Sequence, residues 1–280
     1  MTRVTRGGNQ RRAHLLVSPL LAGLLLVSFH GVAAGRGIAS ADASGGPARP
    51  VGYDVSYPQC GSELPSDAAF GIVGVNGGRV YSLNPCLGPG DQASQLAWAG
   101  PNAQLYANTG NPGPRISRYW PTGQQAPRSC SADDADSVAC AYDYGWNAAA
   151  HSYASALAAY VSLGWADADA THTPVAAHWW LDVEVANSWR RDTRLNVAAL
   201  RGAVAYLESM DVASVGFYSA PRMWRSITGG TDAFADYPSW VAGASTLQGA
   251  VRACRGTGFT GGPVELAQYF ANGFDANHRC

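Results

Sequence analysis

Two carboxylates stand close together in the stretch 178–184, which reads His-Trp-Trp-Leu-Asp-Val-Glu. The stretch is short, apolar and β-prone. Because side chains alternate along a strand, Asp182 and Glu184 should share one face with Trp180. A buried strand rarely carries two acids on one face, since burying an unpaired charge is costly. We therefore expect them to mark a functional site, which in a β/α barrel would lie at the C-terminal mouth.

The competing explanation is a structural ion pair between these acids and the arginines that follow them. The candidate partners, which follow the acids closely along the chain, are Arg190, Arg191 and Arg194. We favour a functional site, because perturbed acids cluster at such sites and a buried ion pair adds little stability.

Two further acids sit in similar apolar settings near the ends of the chain. Asp54 lies inside the β-prone segment 51–56, and Asp275 lies in the last apolar segment. A barrel brings its first and last strands together, so these two acids should become neighbours. Four carboxylates at one mouth suit glycoside hydrolysis, which needs a protonated acid and a carboxylate. Crowding of like charges raises at least one pKa and keeps that acid protonated.

Aromatic residues accompany the acids at the expected strand ends. The C–H faces of sugar rings pack on aromatic rings, so these residues are candidates for substrate contacts. The alternative is that several of them are ordinary barrel core or rim. The set comprises Tyr57, Tyr106, Trp180, Trp189, Tyr218, Trp240 and Tyr269.

Strand-like segments alternate with helices or long connections along the chain. This order predicts an α/β fold, most economically an irregular single-domain TIM-like (β/α) barrel over residues 51–280. We expect strands near 51–56, 70–75, 103–108, 178–184, 214–219, 240–242 and 264–269, and helices near 91–99, 143–163 and 193–210. The Pro-rich stretch 109–141 is predicted to be a long functional loop.

The N-terminus has the order of an export signal. Arginines precede an apolar run, and small residues follow it, so residues 1–41 are predicted to be a secretory signal peptide. The pair Arg11-Arg12 hints at twin-arginine export, and a single membrane anchor is the alternative. Residues 42–50 read as a flexible linker. We expect a secreted or cell-wall-associated protein that meets the membrane only through an uncleaved signal.

Charge and cysteine content narrow the class of protein. Beyond residue 50 the chain carries 13 arginines, no lysine and 19 acids, so nucleic acid is not an expected partner. With an export signal, six cysteines imply disulfides, and their grouping favours Cys60–Cys86, Cys130–Cys140 and Cys254–Cys280, although other pairings remain open. No CxxC pair occurs, so zinc is not expected. We predict no metal, no cofactor and a monomer.

The residues also resemble a known family, the glycoside hydrolase family 25 lysozymes, or N-acetylmuramidases of the Chalaropsis type. The matching pieces occur in the family's order and cover most of residues 52–277. They are Gly52-Tyr53-Asp54-Val55-Ser56, Leu181-Asp182-Val183-Glu184, Gly216-Phe217-Tyr218-Ser219 with Trp224, Trp240-Val241-Ala242, Gln268-Tyr269 and Gly273-Phe274-Asp275-Ala276-Asn277.

This resemblance implies an irregular β/α barrel whose site cleaves peptidoglycan with net retention and without a metal. Glu184 would be the general acid, and Asp182 would orient the substrate's 2-acetamido group for attack on the anomeric carbon. Asp54 and Asp275 would bind substrate and tune the pair. The other expected substrate contacts are Trp180, Tyr218, Trp240, Gln268 and Tyr106.

The chain also departs from that family. The third strand reads Leu-Tyr-Ala-Asn at 105–108 where the family commonly has a Tyr-His-Phe type, and the loop 109–140 and the tail 254–280 are not typical. These departures leave the glycan open. The alternatives are a hydrolase of another polysaccharide and a non-catalytic glycan-binding barrel of the cell envelope. An esterase or deacetylase is disfavoured, since no Gly-x-Ser-x-Gly elbow is present. His178 is expected to be a hydrogen-bonded histidine at the strand edge.

Overall fold

Eight β-strands close into a barrel in the computed structural model, which describes residues 50–166 and 172–280. Each strand is hydrogen-bonded to its neighbours in chain order, and the last returns to the first. The predicted single-domain TIM-like barrel is therefore confirmed. The strands are β1 (Val51–Val55), β2 (Phe70–Gly74), β3 (Gln104–Asn108), β4 (His178–Asp182), β5 (Ser214–Ser219), β6 (Ser239–Ala244), β7 (Val264–Ala271) and β8 (Phe274–Arg279).

The barrel is irregular at its closure. Strands β1 to β7 run parallel, whereas β8 is antiparallel to both β7 and β1. A two-residue turn makes this possible, because Asn272 and Gly273 both have positive φ, at 54° and 83°. An Asn-Gly pair is the preferred sequence for such a hairpin turn. The sequence reading had not assigned β8 as a strand.

In the part of the chain that the structure describes, five α-helices cover the barrel: α1 (Gln95–Ala99), α2 (Val138–Ser162), α3 (Thr193–Ser209), α4 (Pro221–Thr228) and α5 (Leu247–Ala253). A 3-10 turn (Tyr57–Gln59) follows β1. The predicted starts of α1 and α2 were wrong, since α1 begins four residues later and α2 five residues earlier. In both cases a serine hydroxyl caps the helix: Ser94 accepts from Ala97 N–H and Ser137 from Cys140 N–H. Helices α4 and α5 were not predicted.

The strands bury two different faces. Outward-facing residues such as Leu105, Trp179 and Phe217 pack in the layer under the helices. Helices α2 and α3 approach so closely that a Cβ at Gly145 would lie 1.8 Å from the Ala199 carbonyl oxygen, so only glycine fits there. The inward face is filled by Ile72, Trp180, Trp240 and Leu266, which form a solid floor inside the barrel.

Three disulfides link the predicted cysteine pairs, Cys60–Cys86, Cys130–Cys140 and Cys254–Cys280. The Cys130–Cys140 disulfide joins the loop that precedes α2 to that helix. The predicted signal peptide (1–41) and nearly all of the predicted linker (42–50) lie outside the described residues. Within residues 50–166 and 172–280, no helix combines the length and hydrophobicity needed to cross a bilayer.

Candidate active site

Four carboxylates gather at the mouth formed by the C-terminal ends of the parallel strands. Asp54 and Asp182 lie at the ends of β1 and β4, and Glu184 follows β4 by two residues. Asp275 is near the start of β8, which runs the opposite way, so it reaches the same edge and lies in register with Asp54. Asp275 raises the pKa of both Asp54 and Glu184, and Glu184 raises that of Asp182, so the four acids form one electrostatic cluster.

Asp54 is the acceptor at the centre of a hydrogen-bond network. Gln268 Nε2 donates to its two oxygens at 3.1 and 3.3 Å, and Asn277 Nδ2 donates at 2.7 Å. Each amide is oriented in turn, because the Tyr218 hydroxyl donates to Gln268 Oε1 at 2.8 Å and Trp240 Nε1 donates to Asn277 Oδ1 at 2.7 Å. The direction of every bond is thus fixed towards the carboxylate.

The environment of Asp54 opposes its ionisation despite these donors. Burial is the main cause and the charge of Asp275 is the second, and together they raise the pKa of Asp54 to about 7. The hydrogen bonds from Asn277 and Gln268 act in the opposite direction but do not cancel the burial. Asp54 therefore titrates near neutrality, where it can exist as an acid or as a carboxylate.

Asp182 is more deeply buried, with 3% of its surface exposed. Asn108 Nδ2, from the end of β3, donates to its Oδ2, while Oδ1 has no hydrogen-bond partner among the described residues. Burial and the neighbouring Glu184 raise its pKa well above the usual range. A buried carboxyl oxygen without a donor is costly unless a ligand supplies one, so Oδ1 is a position where a substrate N–H could bind.

Glu184 is half-buried, as Asp275 is, whereas Asp54 and Asp182 are buried. Its backbone carbonyl accepts hydrogen bonds from the Trp189 indole at 2.8 Å and from Asn187 N–H at 3.1 Å, which hold the turn after β4. Burial, followed by the charge of Asp275, raises the pKa of its carboxyl group. A partly exposed acid with a raised pKa, beside a buried carboxylate, is an arrangement suited to general acid catalysis.

The arginines after β4 do not neutralise the site. Arg190 pairs with Asp136, and Arg194 pairs with Asp192 at 2.8 Å. In the described part of the chain, neither Asp182 nor Glu184 forms an ion pair with an arginine. The structural ion pair considered as an alternative for these two acids is therefore not formed.

The predicted aromatic contacts divide into two groups. Trp180 and Trp240 are 0% and 1% exposed and form the floor below the acids, with the Trp180 indole donating to Gln104 Oε1 at 2.7 Å. Neither ring has free surface in this structure, so their contact with substrate stays a prediction that this burial does not support. Tyr106 and Tyr218 are only partly buried above them and remain available.

Sequence reasoning missed two asparagines that touch the acids. Asn108 lies in register with Asp182 on the neighbouring strand, and Asn277 follows Asp275 by two residues on the same inward face. Strand alternation could have identified Asn277 once β8 was recognised.

Over residues 50–166 and 172–280, no group of three or more His, Cys, Asp or Glu side chains is arranged to hold a metal ion.

The chain is thus a closed β/α barrel that carries four acids at its C-terminal mouth, the end where enzymes with a (β/α)8 barrel have their active sites. No family model matches the chain. A segment of 69 residues is 33% identical to "Probable GH family 25 lysozyme 4" of Dictyostelium discoideum, and this segment covers 25% of the present chain and 32% of that relative. The chain thus spans about a third of the length of this curated relative, and over that segment the resemblance to family 25 lysozymes is confirmed.

Solved structures with a similar course of the chain include a muramidase from Trichobolus zukalii, at 17% identity, with a TM-score of 0.49 over 82% of this chain and 93% of that one. Another is a lysozyme from Streptomyces coelicolor, at 15% identity, with a TM-score of 0.48 over 84% of this chain and 93% of that one.

Proposed function

We propose that the protein is a secreted glycoside hydrolase that cleaves β-1,4 bonds of peptidoglycan in the manner of a muramidase. The observation that carries the proposal is the cluster of Asp54, Asp182, Glu184 and Asp275 at one mouth. All four pKa values are raised, and no cation contributes to any of the four shifts. Such a site holds a proton on at least one carboxyl group at neutral pH, as glycosidic bond cleavage requires.

The proposed reaction has two steps. In the first, Glu184 gives its proton to the leaving glycosidic oxygen while the carbonyl oxygen of the substrate's own 2-acetamido group bonds to the anomeric carbon. Asp182 accepts the acetamido N–H through its unpartnered Oδ1 and so orients that group. In the second step, Glu184 takes a proton from water, and this water opens the cyclic intermediate from the opposite face. Two inversions give net retention.

The remaining mouth residues would hold the sugar. Asp54 and Asp275 are proposed to bind substrate hydroxyl groups and to tune the acidic pair, and Tyr106, Tyr218 and Gln268 would complete the walls. No metal or cofactor enters this reaction. Secretion or attachment to the cell wall is supported by three disulfides, which form in oxidising compartments. We propose a monomer with no nucleic-acid partner.

The test is release of reducing ends from purified peptidoglycan by the oxidised protein. We expect new muramic acid reducing ends from the wild type, and a loss of about 100-fold or more in Glu184→Gln, because general acid catalysis contributes on that scale. Glu265→Gln, at the opposite end of the barrel, is the matched control and should remain active. A fully active Glu184→Gln protein would refute the assignment.

Two other outcomes would change the function. Cosedimentation with cell walls without release of fragments would favour a non-catalytic glycan-binding barrel. Release of free acid without new reducing ends would favour an esterase or deacetylase. Deacetylated peptidoglycan tests the acetamido step, since it should resist a protein that depends on that group.

A further inference from the structure

A groove of about 410 Å³ lies beside the acid cluster, outside the residues that the proposed reaction uses. Its walls come from the segments 78–80, 110–119 and 186–188, together with Tyr144 of α2. The three segments follow β2, β3 and β4, which are adjacent parallel strands, so the groove is on the mouth side of the barrel. Its last wall begins two residues after Glu184, so a chain bound at the acids could extend into it.

The outer wall of this groove is fixed by several contacts. The Tyr119 ring stacks on Tyr81, with centroids 4.2 Å apart and planes at 15°. Further along the same loop, Asp136 pairs with Arg190, and the Cys130–Cys140 disulfide ties the loop to α2. A wall held in place before binding costs little ordering entropy when a ligand arrives.

The groove is positively charged within an acidic domain. Among the described residues, its lining contains Arg79 and Arg118 and no acidic side chain. Neither arginine takes part in an ion pair within the described ranges. The Arg118 guanidinium lies over the Tyr119 ring, 4.8 Å from its centroid, and donates to the Tyr119 hydroxyl at 2.6 Å. Because the rest of the domain carries more acids than arginines, this local excess of positive charge indicates an anionic ligand.

The lining also offers apolar and hydrogen-bonding groups. Ile116 and Tyr119 are 74% and 41% exposed, which is unusual for such side chains and suits contact with short alkyl groups. Asn187 lines the groove, and its Nδ2 has no hydrogen-bond partner among the described residues. Apolar surface beside two guanidinium groups that form no ion pair among the described residues fits a peptide with free carboxylates better than it fits a neutral sugar.

We propose that this groove binds the carboxylate-bearing peptide that branches from the glycan, with Arg79 and Arg118 as the carboxylate contacts. This inference rests on the proposed function, because the peptide must enter as a substituent of the sugar chain that occupies the acid cluster. The groove then selects glycan that still carries its peptides over bare glycan with the same sugar bonds.

The first experiment compares hydrolysis of peptide-bearing glycan with hydrolysis of the same glycan after the peptides have been removed. In the double variant Arg79→Gln/Arg118→Gln, we expect KM for the peptide-bearing glycan to rise about 10-fold, with kcat and the cleavage of bare glycan unchanged. Arg222→Gln, on the exposed face of α4, is the control and should match the wild type on both substrates. Equal effects on the two substrates, or no effect on either, would overturn the inference.

The second experiment separates failure of the groove from failure of the function. Calorimetry measures binding of a soluble tetrasaccharide, with or without its peptides, to the Glu184→Gln protein. We expect tighter binding of the peptide-bearing form, with an advantage that shrinks as salt is added and disappears in the triple variant with both arginines replaced. Equal binding of the two forms overturns the proposal that the groove binds the peptide, even if the enzyme cleaves glycan. An arginine-dependent advantage in a protein that never cleaves glycan supports the groove and rejects the hydrolase.

Discussion

The two ends of the barrel both carry titratable groups, but they are organised in opposite ways. At the C-terminal mouth, four acids meet, and none of them forms an ion pair with a cation among the described residues. At the other end, which we call the closed end, burial raises the pKa of Glu265 and the neighbouring Arg279 partly opposes that rise. His178 at that end stacks on Trp180, with centroids 4.0 Å apart, and has Nδ1 3.8 Å from Glu265 Oε2.

This difference separates a group of opposite charges from a group of like charges. Opposite charges at the closed end limit the cost of burial, whereas like charges at the mouth add to it. A protein keeps such a costly cluster where a ligand or a proton is to be handled. The two ends should therefore respond with opposite signs to mutation and to pH.

Asp182→Asn should give the largest effect. Removing the buried charge is expected to lower the rate of reducing-end release by about 100-fold or more, because the substrate group loses its charged acceptor. The same change should raise the melting temperature, since an amide can still accept from Asn108 without the cost of a buried charge. Rates and thermal melts on the same preparation test both parts.

Either of two opposite results for Asp182→Asn would contradict the difference that we infer between the two ends. Retention of most of the activity would remove Asp182 from the reaction. A lower melting temperature would show that its carboxylate stabilises the barrel as an ordinary structural partner does.

The fold and the pairing of the acids could be predicted from local patterns. Strand alternation places Asp182 and Glu184 on one face, and closure of a barrel places Asp54 beside Asp275, whichever residues lie between them. Both predictions depend only on backbone geometry, and the structure shows both neighbourhoods. The antiparallel course of β8 was missed, although the turn residues Asn272 and Gly273 are its signal.

The details of the site depend on packing that no local pattern contains. Whether Trp180 and Trp240 meet substrate is decided by how the whole lumen is filled, and the structure buries both. Asn108 contacts Asp182 only because β3 pairs with β4 in one particular register, although 69 residues separate the two strands. The charged groove requires three separate loops to meet, which sequence spacing does not specify.

The pH dependence of stability should distinguish the two ends next. Because the folded-state pKa of Asp54 is raised from 3.8 to about 7, its contribution to stability is fully present below about pH 4 and is lost as the pH rises through 7. The loss amounts to up to about 4 kcal/mol. In urea titrations between pH 4 and 8, the free energy of unfolding should fall less with rising pH in Asp54→Asn than in the wild type, whatever the absolute stability of the variant. An unchanged slope would contradict the raised pKa.

His178 should give the opposite slope from the closed end. Burial, followed by the charge of Arg279, lowers its pKa from 6.5 to about 4. Its contribution is therefore present above pH 6.5 and is lost as the pH falls through 4, by up to about 3 kcal/mol. His178→Phe keeps a ring to stack on Trp180 and should reduce this acid slope. Asp54→Asn is the control, since it leaves His178 in place and should retain the acid slope.

The smallest effect is expected from Glu265→Gln, which removes an acid from the closed end. The Glu265 side chain is 48% exposed, and partly exposed charge pairs contribute on the order of 1 kcal/mol or less. Stability should change by less than about 1 kcal/mol, and activity by less than about twofold, because this carboxyl group is at the far end of the barrel from the mouth. Urea unfolding and reducing-end assays beside Glu184→Gln measure both. A loss of activity comparable to that of Glu184→Gln would mean that the two ends are coupled and that the cluster at the mouth does not act alone.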